Sequence, residues 1–111
     1  RYSQSRSYYQ KALQYNASMG RAYLAIAAMY AKSANSCGTD NFSKRAVYWL
    51  AAKEAFKASR VDSNIKKNAA KSIANFKAKA PQKSEIFSSG RAGETINVGC
   101  WIQRSVTVPN L

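Results

Sequence analysis

Two stretches of this 111-residue chain carry the same order of small and bulky side chains, and that repetition limits the fold more than any other feature. Residues 5–18 read SRSYYQKALQYNAS and residues 51–64 read AAKEAFKASRVDSN. Aligned at an offset of 46, they share Lys11 with Lys57 and Ala12 with Ala58. Ser5 and Ala51 are both small, and the helix-ending residues Asn16 and Asp62 precede small residues in each copy. Apolar and small residues at three- and four-residue intervals describe a helix with one buried stripe. When such a helix returns along a chain, the units stack, each burying its apolar face against the next.

The segment after the first copy sharpens this. Gly20 to Tyr30 reads GRAYLAIAAMY, with Tyr23, Ile26, Ala27 and Tyr30 in the order aromatic, aliphatic, small, aromatic. Upstream, Ser5, Tyr9 and Ala12 follow a small-x3-aromatic-x2-Ala order, which Ala51, Ala55 and Ala58 repeat in smaller residues. Ala69, Ile73 and Phe76 give a degenerate further copy of the Gly20–Tyr30 pattern. These motifs resemble the tetratricopeptide repeat, the first and second helices of a pair alternating. The sequence departs from the family at Ala17 and Ser63, where Pro is usual. At Ala55 an aromatic is usual, and Phe56 comes one residue late.

The resemblance implies a mostly α fold of about four main helices in antiparallel pairs. Tyr9, Ala12, Tyr23, Ile26, Ala27, Tyr30, Ala51, Ala58 and Phe76 would pack the repeats. It also implies a binding surface lined by first helices, formed here by Arg21, Leu24, Ala28 and Lys32, then Lys67, Lys71 and Ala74. That mixture of small, apolar and basic groups suits an acidic peptide or a carboxylate terminus. Lys67 and Lys71 stand four residues apart and repel unless an anion lies between them.

Periodicity and punctuation place helices over 3–16, 18–32, 42–61 and 63–78, with Ser18 capping the second and Asp40 the third. Twenty residues lie between Tyr30 and Ala51, more than a repeat of this family uses, so 33–41 (SANSCGTDN) reads as an inserted loop. The helical array then covers 1–80 and a C-terminal cap covers 81–111. The first helix corresponds to the second helix of a repeat, so an apolar face of Tyr8, Tyr9 and Leu13 is expected to seek a neighbour, and dimerisation through it is one outcome. In the cap, Ser84 to Ser89 forms a short helical turn ended by Gly90. Residues 95–102 and 105–108 alternate and are β-rich, predicting a hairpin that turns near Gln103–Arg104. An array must shield its last apolar face. Ile86, Phe87, Ile96, Val98, Trp101, Ile102, Val106 and Val108 are therefore expected to fold back over the third and fourth helices. Trp49, Phe87 and Trp101 are the expected anchors of that core.

From Gly20 onward, the chain resembles the C-terminal region of Bacteroidetes cell-envelope tetratricopeptide proteins. The likeness rests on the Cys37-Gly38 loop, the KRAVYWLAA segment (Lys44–Ala52), the region of Pro81 to Phe87 and GCWI (Gly99–Ile102). It implies a non-enzymatic protein of the envelope, periplasmic or surface-associated. In an oxidising compartment Cys37 and Cys100 would pair, closing a loop worth roughly 4 kcal/mol by chain entropy. Two buried, unpaired thiols are the alternative.

Composition narrows the function. With no histidine, the commonest general base and zinc ligand are missing. The five carboxylates, Asp40, Glu54, Asp62, Glu85 and Glu94, form no i, i+3 or i, i+4 pair with one another. No phosphate-binding glycine loop is present. These features point away from an enzyme, a metal site or a cofactor. The net charge of +13 comes from 18 Lys and Arg spread along the chain. Aromatics at helix-core spacing, rather than on a stacking platform, disfavour nucleic acid as the partner. No apolar run is long enough to cross a membrane. The leading expectation is a protein-interaction scaffold. A capping or docking module of an envelope assembly and a basic module for anionic polymers are the alternatives.

Overall fold

In the computed structural model, which describes residues 1–110, the elements run α1 (Tyr2–Tyr15), α2 (Gly20–Ser33), α3 (Asn41–Val61), α4 (Lys66–Lys79), α5 (Lys83–Ser89), β1 (Thr95–Val98) and β2 (Arg104–Thr107). The fold is mostly α, with four main helices and a small antiparallel hairpin at the C-terminal end, as the sequence predicts.

Helix α3 is the axis of the molecule because it buries more than one face. Asp40 caps it, its side chain accepting a 2.7 Å hydrogen bond from the Ser43 N–H. Ala46, Ala51, Ala55 and Ala58 on α3, Ala22 and Ala27 on α2, and Ala69 on α4 all have 0% exposure. Small residues at the crossing points let the helix axes approach closely, while Ile26, Tyr30, Val47, Leu50 and Phe76 fill the space between. Of the expected repeat-packing residues, Ile26, Ala27, Tyr30, Ala51 and Phe76 belong to this core and Tyr9 packs against it. Tyr9, Ala12 and Tyr23 are half-buried, and the other six are buried. Phe56 does not replace the missing aromatic at Ala55: it is 54% exposed, because one residue turns a helical side chain by about 100°.

Several boundaries differ from expectation. Ser18 does not cap α2. It bonds instead to the Asn16 side chain in the tight turn before it. The cap comes from afar: Asp62 Oδ2 accepts from the Gly20 N–H at 3.2 Å, and its Oδ1 accepts from the Asn64 N–H at 3.0 Å. One carboxylate thus joins the α1–α2 and α3–α4 corners. The fourth helix starts as a 3-10 turn over Ser63–Ile65 before α4 begins. The expected loop of 33–41 is also partly ordered, because α2 continues to Ser33 and a 3-10 turn covers Ala34–Ser36.

Beyond α4, buried Ala80 and Pro81 lead into α5. Arg45 of α3 anchors this junction, donating to the carbonyls of Lys79 and Ala80 at 3.2 Å and to both carboxylate oxygens of Glu85. Gly90, at φ +68°, ends α5 in the left-handed conformation that glycine adopts freely. The hairpin then folds back. β1 and β2 pair antiparallel, Thr95 opposite Thr107 and Val98 opposite Arg104.

Three details of the cap are corrected. The first strand stops at Val98 rather than Ile102, and the turn is the five-residue loop Gly99–Gln103, not a reversal near Gln103–Arg104. Cys100 and Gln103 take positive φ there, +45° and +47°, a conformation that the alternating pattern could not signal. Phe87 is not a core anchor. It is 77% exposed, and its neighbour Ile86, 3% exposed, is the residue that α5 buries. Trp49 and Trp101, the other two expected anchors, are half-buried and pack against the edge of the core. Val98 and Ile102 enter the main core. Ile86, Ile96 and Val108 form a second cluster around Ala46 of α3.

Candidate partner-binding surface

A basic protein presents a binding surface only where its cations are not spent on its own carboxylates. Here each carboxylate has a local task. Asp40 caps α3, and the Ser43 N–H above all, with the Ser43 hydroxyl and Arg91 adding, holds its carboxyl below the ordinary value. Glu54 pairs with Lys57 at 2.9 Å. Asp62 joins the two corners described above. Arg45 lowers the pKa of Glu85, with the Gln82 N–H contributing, and Glu85 in turn raises that of Arg45. Glu94 binds Arg91 at 2.9 Å, and Arg91 also lies 4.7 Å above the Phe42 ring and 3.6 Å from Asp40. Among the described residues, only Arg45, Lys57 and Arg91 form ion pairs.

The unpaired cations concentrate on α4. Residues 63–84 hold Lys66, Lys67, Lys71, Lys77, Lys79 and Lys83 and no carboxylate. Helix α4 buries Ala69 and Phe76 against α3, so its opposite face presents Lys67, Lys71 and Ala74, all exposed, along successive turns. On α2, Arg21, Ala28 and Lys32 are exposed, whereas Leu24 is half-buried and packs against the core. Arg21 lines a cavity of about 530 Å³ with Asn16, Ser18 and the 61–65 corner. Lys67 lines an open depression of about 760 Å³ with Ser63, Asn64 and Lys66. The two share Ser63 and Asn64, which brings the start of the α2 surface beside the start of the α4 surface.

Cys37 and Cys100 form a disulfide, Cα–Cα 5.4 Å, that fastens the loop after α2 to the hairpin turn. Next to it lies a group that sequence reasoning missed. Arg6 of α1 is 9% exposed and donates to Ile102 O at 2.7 Å, Trp101 O at 3.3 Å and the Tyr30 hydroxyl at 3.1 Å. Its guanidinium lies 5.2 Å from the Trp101 ring centroid, and Tyr2 stacks on that ring at 5.3 Å. Trp101 Nε1 donates to Ser33 Oγ at 2.8 Å. No local pattern marks Arg6, because its partners come from a turn far along the chain. Arg6 thus fixes α1 to the cap and is not part of the open cationic surface. On α1, Tyr9 and Leu13 are half-buried while Tyr8 is 71% and Tyr15 is 92% exposed, so only part of the expected apolar face stays open.

Comparison with known proteins gives no matching family model, no similar curated protein and no similar solved structure.

Proposed function

We propose that this chain is a non-catalytic protein-interaction scaffold of the tetratricopeptide type, binding a peptide or protein partner on the surface formed by α2 and α4. The observation that carries the reading is the division of labour among charges. Every carboxylate serves a cap, a corner or an ion pair, while Arg21, Lys32, Lys67 and Lys71 remain exposed on the two helices. Cations left unpaired on a rigid helical surface supply both steering and specificity for a partner of opposite charge. The helix order and the small residues buried between helices support the tetratricopeptide assignment. The Cys37–Cys100 disulfide is compatible with an oxidising compartment such as the cell envelope.

Affinity capture from envelope extracts tests this reading, comparing the chain with a variant carrying Arg21→Glu, Lys32→Glu, Lys67→Glu and Lys71→Glu. A partner retained by the chain and lost by the variant is expected. Partners retained equally by both would contradict the α2–α4 surface, and a turnover activity in the purified chain would contradict the non-catalytic reading.

A further inference from the structure

Beyond the choice of surface, the geometry points to the kind of partner: we propose that the outer face of α4 docks an acidic helix of another protein. This deepens the scaffold reading and rests on it. With Ala69 and Phe76 turned inward, the centre of the outward face runs through Lys67, Ala70, Lys71, Ala74 and Ala78, all exposed. Lys66 and Lys77 flank one side of this line and Asn68 and Asn75 the other. The face is therefore a shallow floor of alanines with amines along it. A second helix approaches closely over small residues, and carboxylates along its length would fall between the ammonium groups.

Charge complementarity fixes the sign of the partner. Between Asp62 and Glu85 no residue of this chain is acidic, and both of those carboxylates are engaged, Asp62 by two backbone N–H groups and Glu85 by Arg45. Lys67 and Lys71 have no intramolecular counter-ion among the described residues, and the repulsion between them is relieved by a partner anion.

The same face favours protein over nucleic acid. Helix α4 exposes no aromatic ring on which a base could stack, since its one aromatic, Phe76, is 8% exposed. It also carries no arginine, the residue whose planar fork matches a phosphate. Alanine methyl groups between the amines match the aliphatic stems of a helix better than a sugar–phosphate backbone.

The test uses the full chain and a fluorescent, glutamate-rich helical peptide as long as α4, 14 residues. Anisotropy titrations at low and physiological salt compare wild type with Lys67→Glu/Lys71→Glu and with Lys11→Glu/Lys53→Glu. The second variant makes the same change in net charge on exposed positions of α1 and α3. All four side chains are exposed, so folding is checked by circular dichroism and expected to be unchanged. The α4 variant is expected to bind about tenfold or more weakly, and the control within about twofold of wild type. Equal weakening of both variants would show attraction to net charge alone and overturn the proposal. So would a peptide that fails to bind while heparin or a DNA duplex binds. If the α4 variant still captures the partner found with wild type, the docking face is wrong but the scaffold reading stands. A chain that binds the peptide on α4 yet captures no protein keeps the docking face and counts against the scaffold reading.

Discussion

The guanidinium of Arg6 donates a 2.7 Å hydrogen bond to the carbonyl of Ile102, a residue 96 positions further along the chain. Through it the first helix is held by the last turn. The same side chain reaches Trp101 O and Tyr30 Oη, so α1, α2 and the cap meet at one buried cation that faces carbonyls, a hydroxyl and rings and, among the described residues, pairs with no carboxylate. Arg6→Ala removes hydrogen bonds from a charged donor and is expected to cost about 2–3 kcal/mol in urea unfolding. Arg6→Lys should recover only part of this, because a single ammonium cannot reproduce the planar fork. A loss below about 0.5 kcal/mol, the scale of an ordinary surface change, would place the interaction outside the stability of the fold.

The disulfide acts next to that junction. It closes a 63-residue separation, which chain entropy equates to roughly 4 kcal/mol. Cys37→Ser/Cys100→Ser is expected to lower the unfolding free energy by about 2–4 kcal/mol, measured in the same denaturant series. Thiol titration of unreduced, unfolded protein should find no reactive thiol. Two thiols per chain would contradict the bridge.

Within the cap, adjacent residues should behave oppositely. Ile86→Ala empties a buried site and is expected to cost about 2–5 kcal/mol. Phe87→Ser alters a side chain that is 77% exposed and should shift stability by no more than about 0.5 kcal/mol. Thermal melts of the two variants discriminate, and reversed sensitivities would restore Phe87 to the core.

Much of this is legible in the chain and some is not. Helix periodicity and Asp40 locate α3 to within a residue, because a periodic stripe and a side-chain cap are both local signals. The cap's apolar residues announce that it folds back, but Ile86 and Phe87 are equally apolar. Only the direction of α5 as it leaves Pro81 decides which of them turns inward. The α2 cap fails for a related reason: Ser18 has the right chemistry, while Asp62 wins from the opposite corner, a contact that no local pattern encodes. Of the binding positions that the resemblance implies, Arg21, Ala28, Lys32, Lys67, Lys71 and Ala74 are exposed, whereas Leu24 leans on the core. In sequence Arg6 looks like one more surface cation, and its burial depends on the hairpin turn.

Glycine contacts give a separate test of the inserted loop. A Cβ on Gly38 would stand 2.4 Å from Lys44 N and 2.7 Å from Lys44 Cα, backbone atoms that a rotamer change cannot move. On Gly99, in the turn to which the disulfide joins this loop, a Cβ meets nothing within 4 Å. Gly38→Ala is expected to destabilise by about 1–3 kcal/mol and Gly99→Ala by much less. Equal effects would show that the loop does not close on α3 as described.

Acid should loosen the cap junction. The folded-state pKa values of Glu85 and Asp40 lie below their unfolded values, so both stabilise the fold above the ordinary carboxylate range. That contribution is lost as pH falls through the depressed values, below about pH 4. Melting temperatures measured from neutral pH downward should therefore fall at the acid end. Glu85→Gln should remove part of the slope, and an unchanged slope would leave the Arg45–Glu85 pair without a role in it.

Whether this chain is a scaffold of the proposed kind turns on where an acidic partner lands. Backbone amide shifts of the labelled chain, followed during titration with the glutamate-rich peptide, report that position residue by residue. The largest changes are expected along Lys66–Lys79, extending to Arg21 and Lys32 and sparing α1. Shifts spread evenly over every lysine-bearing helix, or centred on Tyr8 and Tyr15, would contradict the α2–α4 surface.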